Sequence, residues 1–319
     1  MRERRYGCNR SRTLGPGFKY HVVTISAIFF ALTVGIVIGS LFLSPRVANR
    51  QTLALNNIRA TLIKDNSDKK IELKQRQDEL DRDEKLLAAA LPAAVHSVLT
   101  DIPIAIIQTG DYPDPLGGIQ DTLKAAGARI TSVTTIERPF AQPDELLVTT
   151  LTSARDASQA LSPGETGMKY PTNRTELANA LAAILAKGDT MTHLLMPDLE
   201  RAGLVRSEIE SDYSMPARYV ILLGGTRDES SIRTGNVDLP LIAALQAQGI
   251  TVVACEPHDA VQSDIKAYHD ANLGIGTVDN ADTYLGRWSL VWALQGAKDD
   301  YGIKPTANLL MPNQTAKTN

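Results

Sequence analysis

Residues 22–43 read VVTISAIFFALTVGIVIGSLFL and contain no charged side chain. A helix rises about 1.5 Å per residue, so this stretch is long enough to cross a bilayer core of about 30 Å. We therefore predict a transmembrane helix over residues 21–43 of the 319-residue chain. A cleavable signal peptide is the alternative, but its apolar region is about 7–15 residues long and a small-residue cleavage site follows it. The residues that follow here, Ser44-Pro45-Arg46, offer no clear site of that kind.

Charges on the two sides of this stretch predict its orientation. The tail at residues 1–20 carries one acid, Glu3, and these basic residues: Arg2, Arg4, Arg5, Arg10, Arg12 and Lys19. The twenty residues after the stretch carry only Arg46, Arg50 and Arg59 as basic residues. Because basic flanks stay in the cytoplasm, we predict a cytoplasmic N-terminal tail and an extracytoplasmic bulk in a single-pass membrane protein.

The exported part is acidic. Removing the six basic residues and the one acidic residue of the tail takes the net formal charge from −3 to −8. An acidic surface repels phosphate backbones, so nucleic acid is not an expected partner.

One face of the predicted membrane helix is lined by small residues. Ala27, Ala31, Gly35 and Gly39 recur every fourth position. Small side chains allow two helices in lipid to approach closely, and this pattern predicts a homodimer that pairs through this face. The alternative is chance, because glycine and alanine are common in membrane helices.

A long helix is predicted after the membrane segment, over residues 46–91. This stretch contains no glycine or proline, and Pro45 and Pro92 bracket it. Spacing by three and four residues gives a seam that is polar at first and then largely apolar: Ile63, Asn66, Lys70, Leu73, Gln77, Leu80, Glu84, Leu87 and Leu91. The seam favours a parallel coiled-coil stalk between two copies of the chain. A solvated single helix or a flexible stalk is the alternative.

Residues 100–312 alternate between apolar runs and helical patterns. We predict strands at 102–109, 129–136, 192–196, 219–223, 250–254 and 273–278. Helices are predicted from about 116 to 126 and at 175–186, 239–248 and 282–295. This alternation indicates an α/β domain with a doubly wound, mostly parallel sheet. Residues 139–172 fit it poorly and are interpreted as an insertion with a short helix and a loop at 162–171. A disordered tail is predicted at 313–319.

Three loops follow predicted strands, where open α/β sheets bind ligands. They contain Asp111, the pair Gly224-Gly225, and the pair Asp279 and Asp282. Neither a phosphate-binding glycine motif nor a G-x-S-x-G nucleophile motif is present, so we predict no enzyme activity and no catalytic residues. The glycine pair could bind an anion or form a tight turn. The aspartates could act as an acid–base pair or cap the last helix.

A soft-metal site is the remaining chemical hypothesis. Met191 and His193 offer a thioether and an imidazole, and Cys255 and His258 offer a thiolate and an imidazole. Sulfur ligands suit Cu(I), so copper is the possible cofactor or cargo. The alternative is a core methionine beside a histidine at a strand end, with Cys255 as a small buried residue. Cys8 and Cys255 are the two cysteines of the chain, and the predicted membrane separates them, which excludes an intrachain disulfide.

Two parts of the sequence resemble a known family. They are the anchor, with HVVTI at 21–25 and VGIVIGS at 34–40, and the C-terminal motifs GTVDNADT at 276–283, YGIKP at 301–305 and LLMP at 309–312. They resemble the actinobacterial copper transporter (MctB-like) family, which includes SteB-like envelope proteins. The resemblance implies a role in copper homeostasis or efflux.

The SteB-like branch implies a different role, as a coiled-coil dimer that joins a second envelope protein in a division or sporulation complex. A structural or interaction protein of the envelope that binds no copper is therefore the alternative function. A single apolar helix has no polar face with which to line a pore.

Overall fold

The computed structural model describes residues 16–42, 45–161, 170–188, 192–228, 233–296 and 298–312. It divides into two units, Met1–Leu80 and Asp81–Asn319. Several predicted features lie outside the described residues: Met191, the tail at 313–319, most of the loop at 162–171 and most of the basic tail at 1–20.

The first helix, α1 (Pro16–Phe42), contains the apolar stretch. Within the described residues, it is the one helix long and apolar enough to cross a membrane, over Lys19–Leu41. The prediction of an N-terminal apolar helix is confirmed, and its orientation stays a prediction. Residues four apart on a helix share a face, so Ala27, Ala31, Gly35 and Gly39 form one stripe on α1.

The second helix, α2 (Pro45–Val95), is longer than the predicted stalk. Our prediction that Pro92 follows the helix is wrong, because Pro92 lies inside its last turn. A proline so near the end interrupts few hydrogen bonds of the helix. Leu91 and Val95 are buried on either side of it, and their burial stabilises the continued turn.

The α/β domain contains a seven-stranded sheet with the order β3-β2-β1-β4-β5-β6-β7. Its strands are β1 (Pro103–Gln108), β2 (Arg129–Ile136), β3 (Val205–Ser207), β4 (Tyr219–Leu223), β5 (Thr251–Cys255), β6 (Gly276–Val278) and β7 (Asp300–Tyr301). Only β3 runs antiparallel to its neighbour, so the predicted mostly parallel sheet is confirmed. The near-continuous apolar runs of β1, β4 and β5 suit strands buried on both faces.

Helices cover this sheet through two hydrophobic clusters. The helices are α3 (Asp114–Ala125), α4 (Asp144–Leu161), α5 (Arg174–Lys187), α6 (Thr192–Arg201), α7 (Leu239–Ala247), α8 (Ile265–Asp270) and α9 (Tyr284–Ala293). Ala105 and Ile107 of β1 belong to the first cluster with side chains of α4 to α8. Ile104 and Ile106 belong to the second cluster with the end of α2, α3 and α9. Alternate strand residues face opposite ways, so the clusters lie on opposite faces. The coiled coil and the doubly wound arrangement stay predictions.

One predicted strand is wrong. Residues 192–196 lie in α6, where Leu195, Met196 and Leu199 are buried. A short apolar run can occur in a strand or in a buried helix, and this one packs as a helix. The insertion at 139–172 also differs, because α4 has 18 residues and is not short.

Candidate functional site

At the carboxyl edge of the sheet, the strand order changes direction between β1 and β4. From β1 the chain moves to β2 on one side, and β4 and β5 continue on the other, so this is a topological switch point. The two loops that leave it pack closely: the Gly110 N–H donates to the Leu223 carbonyl over 3.0 Å. A Cβ atom on Gly110 would lie 2.4 Å from the Gly224 carbonyl oxygen. These contacts hold the two loops against each other and explain why residue 110 must be glycine.

The predicted loop residues Asp111, Gly224 and Gly225 lie at this switch point. The Gly225 N–H donates to Asp264 Oδ2 over 2.7 Å, and the Gly224 N–H donates to the Cys255 carbonyl. Both amides are therefore used within the protein, which favours the tight turn over an anion site. Gly225 also has φ of +86°, a conformation that suits glycine. Asp111 Oδ1 accepts the Arg227 N–H over 3.0 Å and joins the two loops.

Three buried carboxyl groups lie beneath these loops, and sequence reasoning missed all of them. Asp238, Asp264 and Glu256 are at most 3% exposed. The Tyr268 hydroxyl donates to Asp238 Oδ2 over 2.6 Å, and the Asp264 N–H donates to Glu256 Oε2 over 2.9 Å. The Thr234 hydroxyl donates to Asp264 Oδ1. These bonds join Asp264 to Glu256 and Thr234 and join Asp238 to Tyr268, so each carboxyl group is fixed at the carboxyl edge.

Burial changes the acidity of these groups. Burial, and then the neighbouring charge of Asp264, raise the pKa of Asp238 to about 7. Burial and the same two aspartates raise the pKa of the Tyr268 phenol. Two close carboxylates in a desolvated site cannot both ionise easily, so Asp238 holds its proton below neutral pH.

A buried ion pair fixes the loop after β5. Lys304 Nζ lies 2.6 Å from Glu256 Oε1 and donates to the Pro257 carbonyl over 3.1 Å. Burial raises the pKa of Glu256, and Lys304 opposes that shift. The loop after β6 is bound to the same segment, because Asp279 accepts the backbone N–H groups of Ile303 and Lys304 over 2.8 Å each. Asp279 therefore positions the Lys304 segment, and of the two alternatives for this residue, the helix cap is wrong.

Asp282 does not cap α9 either. Thr283 is the N-cap, and its hydroxyl accepts the Gly286 N–H over 3.0 Å. Asp282 instead binds His258: its Oδ1 accepts the His258 backbone N–H over 2.7 Å, and its Oδ2 contacts His258 Nδ1. The side chains of threonine and aspartate can both cap the N-terminus of a helix. Because Thr283 caps α9, the Asp282 carboxylate is available to bind His258.

His258, Asp282 and Asp259 form a group that could hold a metal ion. One potential ligand atom from each lies within 4.8 Å of the others. His258 and Asp259 are exposed, and Asp282 is half-buried, so the group is accessible from solvent. A carboxylate that holds one imidazole nitrogen orients the ring and leaves the other nitrogen for a metal.

Among the described side chains, the predicted ligand Cys255 is not part of this group. Cys255 is 1% exposed, and burial, with Glu256 nearby, raises the pKa of its thiol. A protonated thiol is a poor metal ligand. Met191 and the side chain of His193 lie outside the described residues. The structure thus places His258 with two carboxylates, and the soft-metal site formed with Met191, His193 and Cys255 stays a prediction.

The missed residues left little local signal. Glu256 directly follows the apolar run of β5, where a charge at a strand end could have been noticed. Lys304 lies 48 residues further along the chain and reaches Glu256 only because β7 extends the sheet. Asp238 and Asp264 begin short helices, and their burial depends on tertiary packing alone.

The comparison with protein families covers both the anchor and the α/β domain. A family model described as "Copper transport outer membrane protein, MctB" matches residues 17–312. No curated protein matches the chain. The matched range runs from α1 to the end of the α/β domain, and the resemblance inferred from the sequence motifs is confirmed.

Proposed function

Because the chain belongs to the MctB family of copper transport outer membrane proteins, we propose that it is tethered by α1 and handles copper outside the cytoplasm. The family match carries this proposal, and it covers the anchor, α2 and the α/β domain alike. The basic tail before α1 supports a cytoplasmic N-terminus. α1 is one apolar helix, and a single apolar helix has no polar face with which to line a pore, so we propose binding and presentation of copper and not a pore. We propose no catalytic role either.

The candidate cargo site is the group of His258, Asp259 and Asp282. An imidazole with carboxylates suits Cu(II), whereas Cu(I) prefers sulfur. Asp282 holds the ring through Nδ1 and so orients it, which leaves Nε2 of His258 and the carboxylate of Asp259 as the ligands for an ion. The position also fits the fold, since the group lies beyond the carboxyl ends of the strands.

Copper binding should depend on His258. We expect the full-length chain in detergent to bind Cu(II) with a nitrogen signature in its electron paramagnetic resonance spectrum. His258→Ala should weaken binding at least tenfold, because it removes the only nitrogen of the group. His269→Ala is the matched control, since His269 is also exposed and also lies against a carboxylate, Asp300, over 3.3 Å. Equal losses in both variants, or none in either, would reject His258 as the copper ligand.

We also propose that the protein acts as a homodimer that joins a second envelope protein. The small-residue stripe of α1 supports close helix packing, and Gly35 and Gly39 leave open space around their Cα atoms. Leu73 and Leu80 of α2 are exposed, so an apolar row is available to another helix.

Dimerisation can be tested on the stripe itself. Replacing Gly35 and Gly39 together by leucine should weaken the dimer at least tenfold in sedimentation equilibrium of the full-length chain in detergent, because the two backbones could no longer approach. Ile36→Leu adds no bulk and should leave the equilibrium unchanged. A double variant that associates as tightly as the parent would show that this stripe does not pair.

A further inference from the structure

A π-helical turn lies beside the switch point. It covers Thr234–Asp238 and follows Arg233 directly. The N–H groups of Val237 and Asp238 both reach the Arg233 carbonyl, over 2.7 and 3.4 Å. Wide turns of this kind are uncommon and occur often at functional positions. This one brings the side chains of Arg233 and Asp238 to the same buried region, where each affects the ionisation of the other.

Buried polar atoms of this turn lack partners. Asp238 Oδ1 and Arg233 Nε have no hydrogen-bond partner within the described residues, although Asp238 is 1% and Arg233 7% exposed. An ionised carboxylate oxygen with no donor is costly to bury, whereas a protonated carboxyl is far less so. The observed arrangement therefore suits a protonated Asp238.

The groups that face Asp238 come from several elements. Tyr268 of α8 donates to its Oδ2, and Asp264, just before α8, opposes its charge. Thr109 and Arg233 favour its ionised form. Further from Asp238, Glu256 pairs with Lys304. The charges of Asp111, Glu137 and Arg138 also affect the pKa of Arg233.

We propose that Asp238 and Arg233 form a proton-controlled switch at the carboxyl edge of the sheet. In the protonated state, Arg233 Nη1 donates to the Ile136 carbonyl at the end of β2, as observed. When Asp238 releases its proton to solvent, the new carboxylate takes the unpartnered Nε–H of Arg233. Both orphan atoms then gain a partner, and the hold of Arg233 on β2 weakens.

The switch has a defined direction with pH. In the folded state the pKa of Asp238 rises from an ordinary 3.8 to about 7. Between these values the folded state keeps a proton that the unfolded state has lost. The folded-to-unfolded ratio should therefore fall as the pH rises from about 4 to about 7, by up to about a thousandfold, and stay level above that.

Unfolding at several pH values tests this proposal. The two tryptophans, Trp288 and Trp292, both lie in α9, so their fluorescence reports the α/β domain in the full-length chain. We expect the folded-to-unfolded ratio of the parent to fall from pH 4 to pH 7, and Asp238→Asn to remove most of that fall. Asp121→Asn changes an exposed carboxylate of α3 and should keep the parent profile. Arg233→Met should move the midpoint to higher pH, because the carboxylate loses its cation.

A direct signal keeps the proposal testable if the Asp238 variant does not fold. Infrared difference spectra of the parent should show a buried protonated carboxyl band that disappears on passing neutral pH, without added copper. Absence of that band would overturn the proposal. An Asp238→Asn profile that still falls like the parent, or a midpoint that Arg233→Met leaves unmoved, would overturn it too.

Discussion

Replacement of Lys304 by methionine is expected to lower the free energy of unfolding of the α/β domain by about 3–5 kcal/mol. The Glu256 side chain is fully buried, and Lys304 is its cationic partner over 2.6 Å. Methionine keeps most of the volume of the lysine stem but leaves a carboxylate without a counter-charge. An unpaired buried charge costs several kcal/mol of stability. This cost is larger than the stability that the intact ion pair adds compared with two apolar side chains of similar shape.

The pH dependence of this loss identifies its cause. Without Lys304, the pKa of Glu256 must rise further, because burial already raises it and the opposing cation is gone. At acid pH Glu256 can take up a proton and escape the penalty, so the destabilisation should be larger at pH 8 than at pH 5.

Urea unfolding followed by tryptophan fluorescence measures this effect. Lys266→Met is the matched control, because Lys266 forms a pair with Asp270 over 2.6 Å in which both side chains are exposed. Exposed pairs contribute little, so the control should change stability only slightly. If Lys304→Met and Lys266→Met behave alike, or if the loss at Lys304 does not grow with pH, the buried pair is not the element that holds this loop.

The strands of the sheet could be predicted because their signal is local. β1, β2, β4 and β5 are apolar runs bounded by turn residues, and their observed bounds agree with the predicted ones within a residue or two. β3 and β7 were not predicted, since they have three and two residues and owe their extended form to the neighbouring strand. The run at 192–196 was predicted as a strand for a related reason. A short apolar run fits a strand or a buried helix equally well, and only its packing in the folded chain shows which one it forms.

The candidate site could be predicted only in part. His258 and Asp282 were singled out separately, yet their pairing joins the loops after β5 and β6, and a sequence does not show which strands are neighbours. The mistaken caps at Asp279 and Asp282 have the same origin. A carboxylate before a helix is a good local cap, and these two are taken instead by amides and an imidazole from elsewhere in the chain.

The second large effect is expected at Gly286, in the first turn of α9. Its backbone is helical, so alanine would normally stabilise it by about 1 kcal/mol. Here a Cβ atom would lie 1.9 Å from the carbonyl oxygen of Asn280, which belongs to the main chain and cannot rotate away. We therefore expect Gly286→Ala to destabilise the domain by about 2–3 kcal/mol, as overpacking does.

Gly117 provides the contrasting position for this prediction. It lies exposed in α3, and nothing lies within 4 Å of its virtual Cβ atom, so Gly117→Ala should stabilise the domain by about 0.5–1 kcal/mol. The two substitutions are chemically identical and should have opposite signs in the same urea titration. Gly286 also ends the turn that presents Asp282 to His258, so its alanine variant should bind Cu(II) more weakly even where it remains folded. Stabilisation by Gly286→Ala would mean that Asn280 yields easily, and that the turn is less rigid than its contacts indicate.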